Sequence, residues 1–91
     1  MFNLESIPTP NPDIVGRTVD NEAVLVLPVQ GKVKVLNEVG TRVWELLDGN
    51  RSVKEIASAL HQEYTVDQAT AEEDVLEFIN DLAKKEMLET I

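Results

Sequence analysis

Ala23-Val24-Leu25-Val26-Leu27-Pro28-Val29-Gln30-Gly31-Lys32-Val33-Lys34-Val35-Leu36-Asn37 changes its pattern twice, and the fold follows from those changes. Ala23 to Leu27 is apolar throughout, as expected of a central strand or one covered on both faces. Pro28 ends it, and Gln30-Gly31 makes a turn. Lys32 to Leu36 then alternates charged and apolar residues, the mark of a strand with one face buried and one wet. After Leu36 the period lengthens from two to about 3.6, and Asn37 is a good helix N-cap.

Upstream, Ile14-Val15-Gly16-Arg17-Thr18-Val19 is a third β-prone run, closed by Asp20-Asn21-Glu22 in a turn. Short connections between three such runs favour an antiparallel meander. The run at 23–27 takes the middle, so the first and third strands are edges. Residues 1–12 carry Pro8, Pro10 and Pro12 and read as a flexible, extended N-terminal arm. Residues 13–91 form the single domain.

Downstream, Val39, Val43, Leu46 and Leu47 make an apolar stripe that Asp48-Gly49 terminates. Ser52-Val53-Lys54-Glu55 is a capping box for a second helix with its stripe on Val53, Ile56, Ala57, Leu60 and Tyr64. The two resemble a helix-turn-helix pair. A third helix starts near Asp67 or Thr70 and runs to about Met87. The fold class is α+β: a winged helix-turn-helix-like domain with a three-stranded antiparallel sheet followed by three helices.

The third helix carries a wide apolar arc. At 100° per residue from Ala71, the side chains of Ala71, Val75, Phe78, Ile79 and Leu82 fall between about −20° and 80°. Ala69, Leu76, Ala83 and Met87 fall between about 120° and 160°. The first group is sufficient to bind the helix to a core. The second has two readings: the helix is wrapped by its neighbours, or the flank faces the edge of the third strand and lines an open groove. An open edge offers unpaired N–H and C=O groups to a strand from another chain.

The 91 residues carry 17 acidic and 8 basic side chains, a net charge of −9. The acids concentrate in the C-terminal third, a field that repels nucleic acid. There is no cysteine, which excludes disulfides, thiol nucleophiles and thiolate metal sites and fits a cytoplasmic protein. No segment has the length and apolarity of a membrane span. His61 is the only histidine, so no second histidine or cysteine completes a metal set with it, and no nucleophile with an adjacent base is recognisable. The four glycines are not clustered into a phosphate loop. No enzyme activity and no cofactor are expected.

Leu36-Asn37-Glu38, Gly40-Thr41, Trp44, Leu47-Asp48-Gly49, Ser52-Val53 and Glu55-Ile56-Ala57 resemble the PqqD-like family, peptide chaperones of the coenzyme PQQ synthesis protein D type. So do Asp74-Val75, Phe78-Ile79 and Leu82, and, earlier, Gly16-Arg17-Thr18-Val19-Asp20 and the apolar strand ending at Pro28 ahead of Gly31. The resemblance spans about Pro12 to Leu88. It implies a recognition element for the leader of a ribosomally made precursor peptide. The leader adds as a strand beside the third strand and packs against the third helix. Carried over, the binding residues are Lys32, Val33, Lys34, Val35 and Leu36 on the strand, and Ala69, Glu72, Leu76, Ala83 and Met87 on the helix. The implied partners are the precursor peptide and a modifying enzyme, such as a radical SAM protein or a leader protease. Glu86 departs from the family, which often has glycine there. The segment Gly40 to Trp44 matches the broad family better than its quinone-pathway members.

Three other readings of the residues compete with this one. A DNA-binding winged helix conflicts with the −9 charge. An acyl carrier presents a serine for phosphopantetheine after an acidic residue, and neither Ser52, which follows Arg51, nor Ser58, in mid-helix, fits. A generic protein-interaction domain is compatible with the composition. The open strand edge also permits a strand-exchanged homodimer.

Overall fold

The computed structural model describes residues 2–89. Three strands come first: β1 Val15–Val19, β2 Glu22–Leu27 and β3 Lys32–Val35. Three helices follow: α1 Glu38–Leu46, α2 Val53–Glu63 and α3 Gln68–Lys84. The sheet is antiparallel in the order β1-β2-β3, with Leu25 opposite both Gly16 and Lys34. Asp20 and Asn21 close the first hairpin with φ of 51° and 65°. Two successive left-handed residues match a two-residue turn whose twist suits the flanking strands, and Asp and Asn tolerate that conformation.

Local chemistry sets the helix starts. The Asn37 side chain accepts the Gly40 N–H at 2.8 Å. Ser52 and Glu55 form the reciprocal capping box, with Ser52 Oγ accepting Glu55 N–H and Glu55 accepting Ser52 N–H. Asp67 occupies the N-cap of α3, but its side chain makes no capping bond. Arg42 on α1 donates to both carboxylate oxygens of Glu63 on α2, at 2.7 and 2.9 Å.

Ala23, Leu25 and Leu27 of β2 face the helices and are buried with Leu36, Ile56, Leu60, Val75, Ile79 and Leu82. Removing one of these large side chains to Ala costs about 2–5 kcal/mol, a large share of a small domain's stability. Thr41 is the buried polar residue among them. Its Oγ1 accepts the Ala23 N–H at 2.8 Å and so ties α1 to β2.

The N-terminal arm is pinned along its length. Phe2 N–H donates to Asn80 Oδ1, and the carbonyls of Leu4 and Ser6 accept the Lys54 and Val53 N–H groups. Those two donors sit in the first turn of α2 and have no partner within the helix. Thr9 O accepts Glu89 N–H, and Asn11 N–H donates to Met87 O. With Pro10 bridging Leu88, the arm and the tail pair antiparallel. The prolines rule out a helix here, but they leave carbonyls free to accept, and Pro8 is buried.

Candidate functional site

β3 is an edge strand, paired on one side only. Beyond its free edge lies a groove whose far wall is α3. At the C-terminal end of β3 the groove deepens into a pit of about 260 Å³. Its floor is Leu36, Val43, Leu60 and Val75, all buried, and its rim carries Lys34, Val39, Asp74 and Phe78. Gly40 permits this packing: a Cβ there would stand 3.3 Å from Phe78 Cε1 and 3.2 Å from Asn37 Oδ1.

The other end of the groove is charged. Lys34 Nζ lies 2.9 Å from Asp81 Oδ2, and Lys85 Nζ 3.0 Å from Asp81 Oδ1. Lys32 Nζ approaches Glu86 at 3.7 Å. Hydrogen bonds from Lys34 and then Lys85 hold the Asp81 carboxyl below the usual carboxylate range, against a smaller opposing effect of burial. Asp74, Glu77, Asn80, Asp81 and Lys84 continue along α3 as a shallow, mostly acidic depression.

Of the expected strand residues, Lys34, Val35 and Leu36 line the pit, and Lys32 and Val33 do not. The structure settles the facing of β3, which its alternation left open. Lys32 and Lys34 point toward the helices, opposite Leu27 and Leu25, while Val33 and Val35 point outward and are 59% and 63% exposed. Alternation tells which residues share a face and leaves open which face is covered. Here the acidic flank of α3 draws the lysines inward.

The helix residues expected at the groove lie elsewhere. Ala69 is exposed, Glu72 accepts a hydrogen bond from Gln68 at 2.9 Å, Leu76 and Ala83 are half-buried against the core, and Met87 is fully buried. None of the five lines the pit. Asp74, Phe78 and Asp81 face β3 instead. The two flanks lie on opposite sides of the core stripe Ala71, Val75, Ile79 and Leu82, separated by roughly 160–180° on the helix. The apolar flank of Leu76 and Ala83 adjoins Asn80, where the arm attaches, with Phe2 and Leu4 packed on the core. Charge is the signal for this flank: the two strand lysines need acids, and Asp81 on α3 and Glu86 just beyond it supply them.

Among the described residues, no three His, Asp or Glu side chains gather as a metal site. None of the described helices is long and apolar enough to cross a membrane.

The fold is a sheet-first winged helix-turn-helix in which the free edge of β3 stands over an apolar, charge-rimmed groove. The model of coenzyme PQQ synthesis protein D (PqqD) matches residues 22–88, and the chain belongs to that family. TbiB1, solved in complex with the TbiA(beta) leader peptide, is 37% identical, with a TM-score of 0.82 over 91% of this chain and 96% of that one. The PqqD truncation of Methylobacterium extorquens PqqCD, a stand-alone recognition element for ribosomally synthesized and post-translationally modified peptides, is 30% identical, with a TM-score of 0.83 over 99% and 96%. A lasso peptide synthetase B1 complexed with its leader peptide, 24% identical with a TM-score of 0.84 over 93% and 100%, shares the fold. No curated protein matches the chain.

Proposed function

We propose that this protein binds the leader of a ribosomally made precursor peptide as a fourth strand on β3 and presents it to a modifying enzyme. The carrying observation is the free edge of β3 beside the apolar pit. Backbone pairing supplies register, and a side chain in the pit supplies selectivity. Lys34, Val35 and Leu36 are the strand wall, with Val39, Asp74 and Phe78 opposite. The likeness to TbiB1, solved with a leader peptide, supports the reading.

The protein carries out no chemistry of its own in this reading. The polar side chains at the pit are Lys34, Asn37 and Asp74, which include no nucleophile with an adjacent base. The receiving enzyme is a radical SAM protein or a leader protease, and the setting is the cytoplasm, in keeping with a chain that has no cysteine. Filling the pit with one or two bulky apolar side chains contributes about 1.5–3 kcal/mol each. Ordering the peptide costs about 2–5 kcal/mol. With the backbone pairing added, the expected affinity is on the order of micromolar. A strand-exchanged homodimer would use the same edge, so dimer and peptide compete.

The test is an NMR titration with leader peptides encoded beside the gene. Shifts are expected at Lys32–Leu36, Val39 and Asp74–Asp81. Saturating peptide that moves only β1, or nothing, refutes the proposal.

A further inference from the structure

The outer face of the sheet is apolar where a wet face should be polar. Outward-facing positions are Val15, Arg17 and Val19 on β1, Glu22, Val24 and Val26 on β2, and Val33 and Val35 on β3. Six of these eight are valine. Val15 and Val19 are 55% and 60% exposed, close to the values for Val33 and Val35. Edge strands ordinarily carry charge, lysine especially, to discourage pairing with other strands. Here both β3 lysines are engaged across the groove with Asp81 and Glu86. With both lysines turned inward and paired, the outer face of β3 is left to Val33 and Val35 without a charge beside them.

A face of three strands about 4.8 Å apart and five residues long covers on the order of 240 Å². A stable protein partner needs about 800 Å² on each side. The bare face is therefore too small to hold a second copy firmly. It is continuous, however, with the edge at which a strand is proposed to add. Side chains of that strand opposite Val33 and Val35 would stand about 4.5–5.5 Å away, Cβ to Cβ, on the same outer face.

We infer that Val33 and Val35 form a second selectivity site, which takes two apolar side chains at positions i and i+2 of the bound strand. This rests on strand addition at β3. The cargo segment is then apolar on both faces: inward for the pit, outward for the valines. It resembles a buried central strand more than an amphipathic one, and β-branched or aromatic residues suit the outer positions.

The experiment compares the protein with a Val33→Thr/Val35→Thr variant and a Val15→Thr/Val19→Thr variant. Threonine keeps the β-branched shape and replaces a methyl by a hydroxyl. The probes are the TbiA(beta) leader peptide and synthetic leader segments of the precursors encoded beside the gene, titrated calorimetrically. For whichever peptide binds, the β3 variant is expected to lose about 2–30-fold in affinity, the sum of two cross-strand pairs, and the β1 variant to change less than 2-fold. Equal affinity for all three proteins overturns the outer site while leaving strand addition standing. If no peptide binds the unaltered protein, strand addition itself fails and the outer site with it. Sedimentation of the free protein as a dimer that both variants dissociate would assign the face to a second copy and overturn the inference.

Discussion

Glu86 occupies a backbone conformation that suits glycine. It follows the last residues of α3 with φ of 59°. Its N–H donates to Ala83 O at 3.1 Å, and Met87 N–H donates to Leu82 O at 3.0 Å, the two bonds of a Schellman motif. The left-handed conformation costs an L-residue about 1–2 kcal/mol. Glycine avoids that cost but loses about 0.5–1 kcal/mol more in chain entropy on folding. Glu86→Gly should therefore be more stable than Glu86→Ala by roughly 0.5–1 kcal/mol, since both lose the carboxylate. The lost contact is minor: the Glu86 side chain is 60% exposed and 3.7 Å from Lys32, a pair worth about 0–1 kcal/mol. For a domain of this size the difference corresponds to about 2–8 °C in Tm. Thermal unfolding followed by circular dichroism, with urea midpoints alongside, reads it directly. If the alanine variant melts at or above the glycine variant, the conformation at Glu86 carries no strain and the reasoning fails.

Val39→Asp places a charge on the rim of the pit at a position 44% exposed, so the fold should survive while peptide affinity falls about tenfold in calorimetric titration. Leu76→Ala acts on the flank near the arm: stability in urea should drop by about 1–2 kcal/mol, with peptide affinity unchanged within about 2-fold. Thr41→Val leaves the buried Ala23 N–H without its acceptor and should cost about 1–3 kcal/mol, read from the urea midpoint. Asp81 has a lowered carboxyl pKa in the folded state, so its contribution is complete above the unfolded value of about 3.9 and is lost as pH falls through the folded value. Asp81→Asn should therefore be less stable at neutral pH by about 0.5–1 kcal/mol, discounted because the side chain is 41% exposed, and that deficit should vanish in urea titrations run at successively lower pH below about 4.

The strand and helix order was legible because each element announces itself locally. Asp20-Asn21 suits a two-residue turn, Ser52 to Glu55 spells a capping box, and the period changes after Leu36. The strand wall of the groove was legible for the same reason. The helix wall was not. Helical periodicity finds the core stripe of α3 but treats both flanks alike, and the more apolar flank, with Leu76 and Ala83, attracted the wrong assignment. Its neighbour is the arm, whose attachment rests on backbone carbonyls that leave no trace in side-chain pattern. Phe78 and Asp81 emerged only once the position of β3 was known, since what places them is a contact between residues more than 40 positions apart.

The pairing of Thr9–Asn11 with Met87–Glu89 has a consequence for how this domain can be joined to others. The two paths run side by side there, about 5 Å apart in the manner of neighbouring strands, and the arm then continues over α2 to Asn80 of α3. A fusion through the arm therefore departs from beside Asn80 of α3, and one through the tail from beside Thr9. The same arrangement gives it a mechanical weak point. A force pulling Phe2 and Glu89 apart loads the arm's bonds to Asn80, Lys54 and Val53 on one side and the Thr9–Glu89 rung on the other, peeling the arm from α2 and α3 before any tension reaches the sheet.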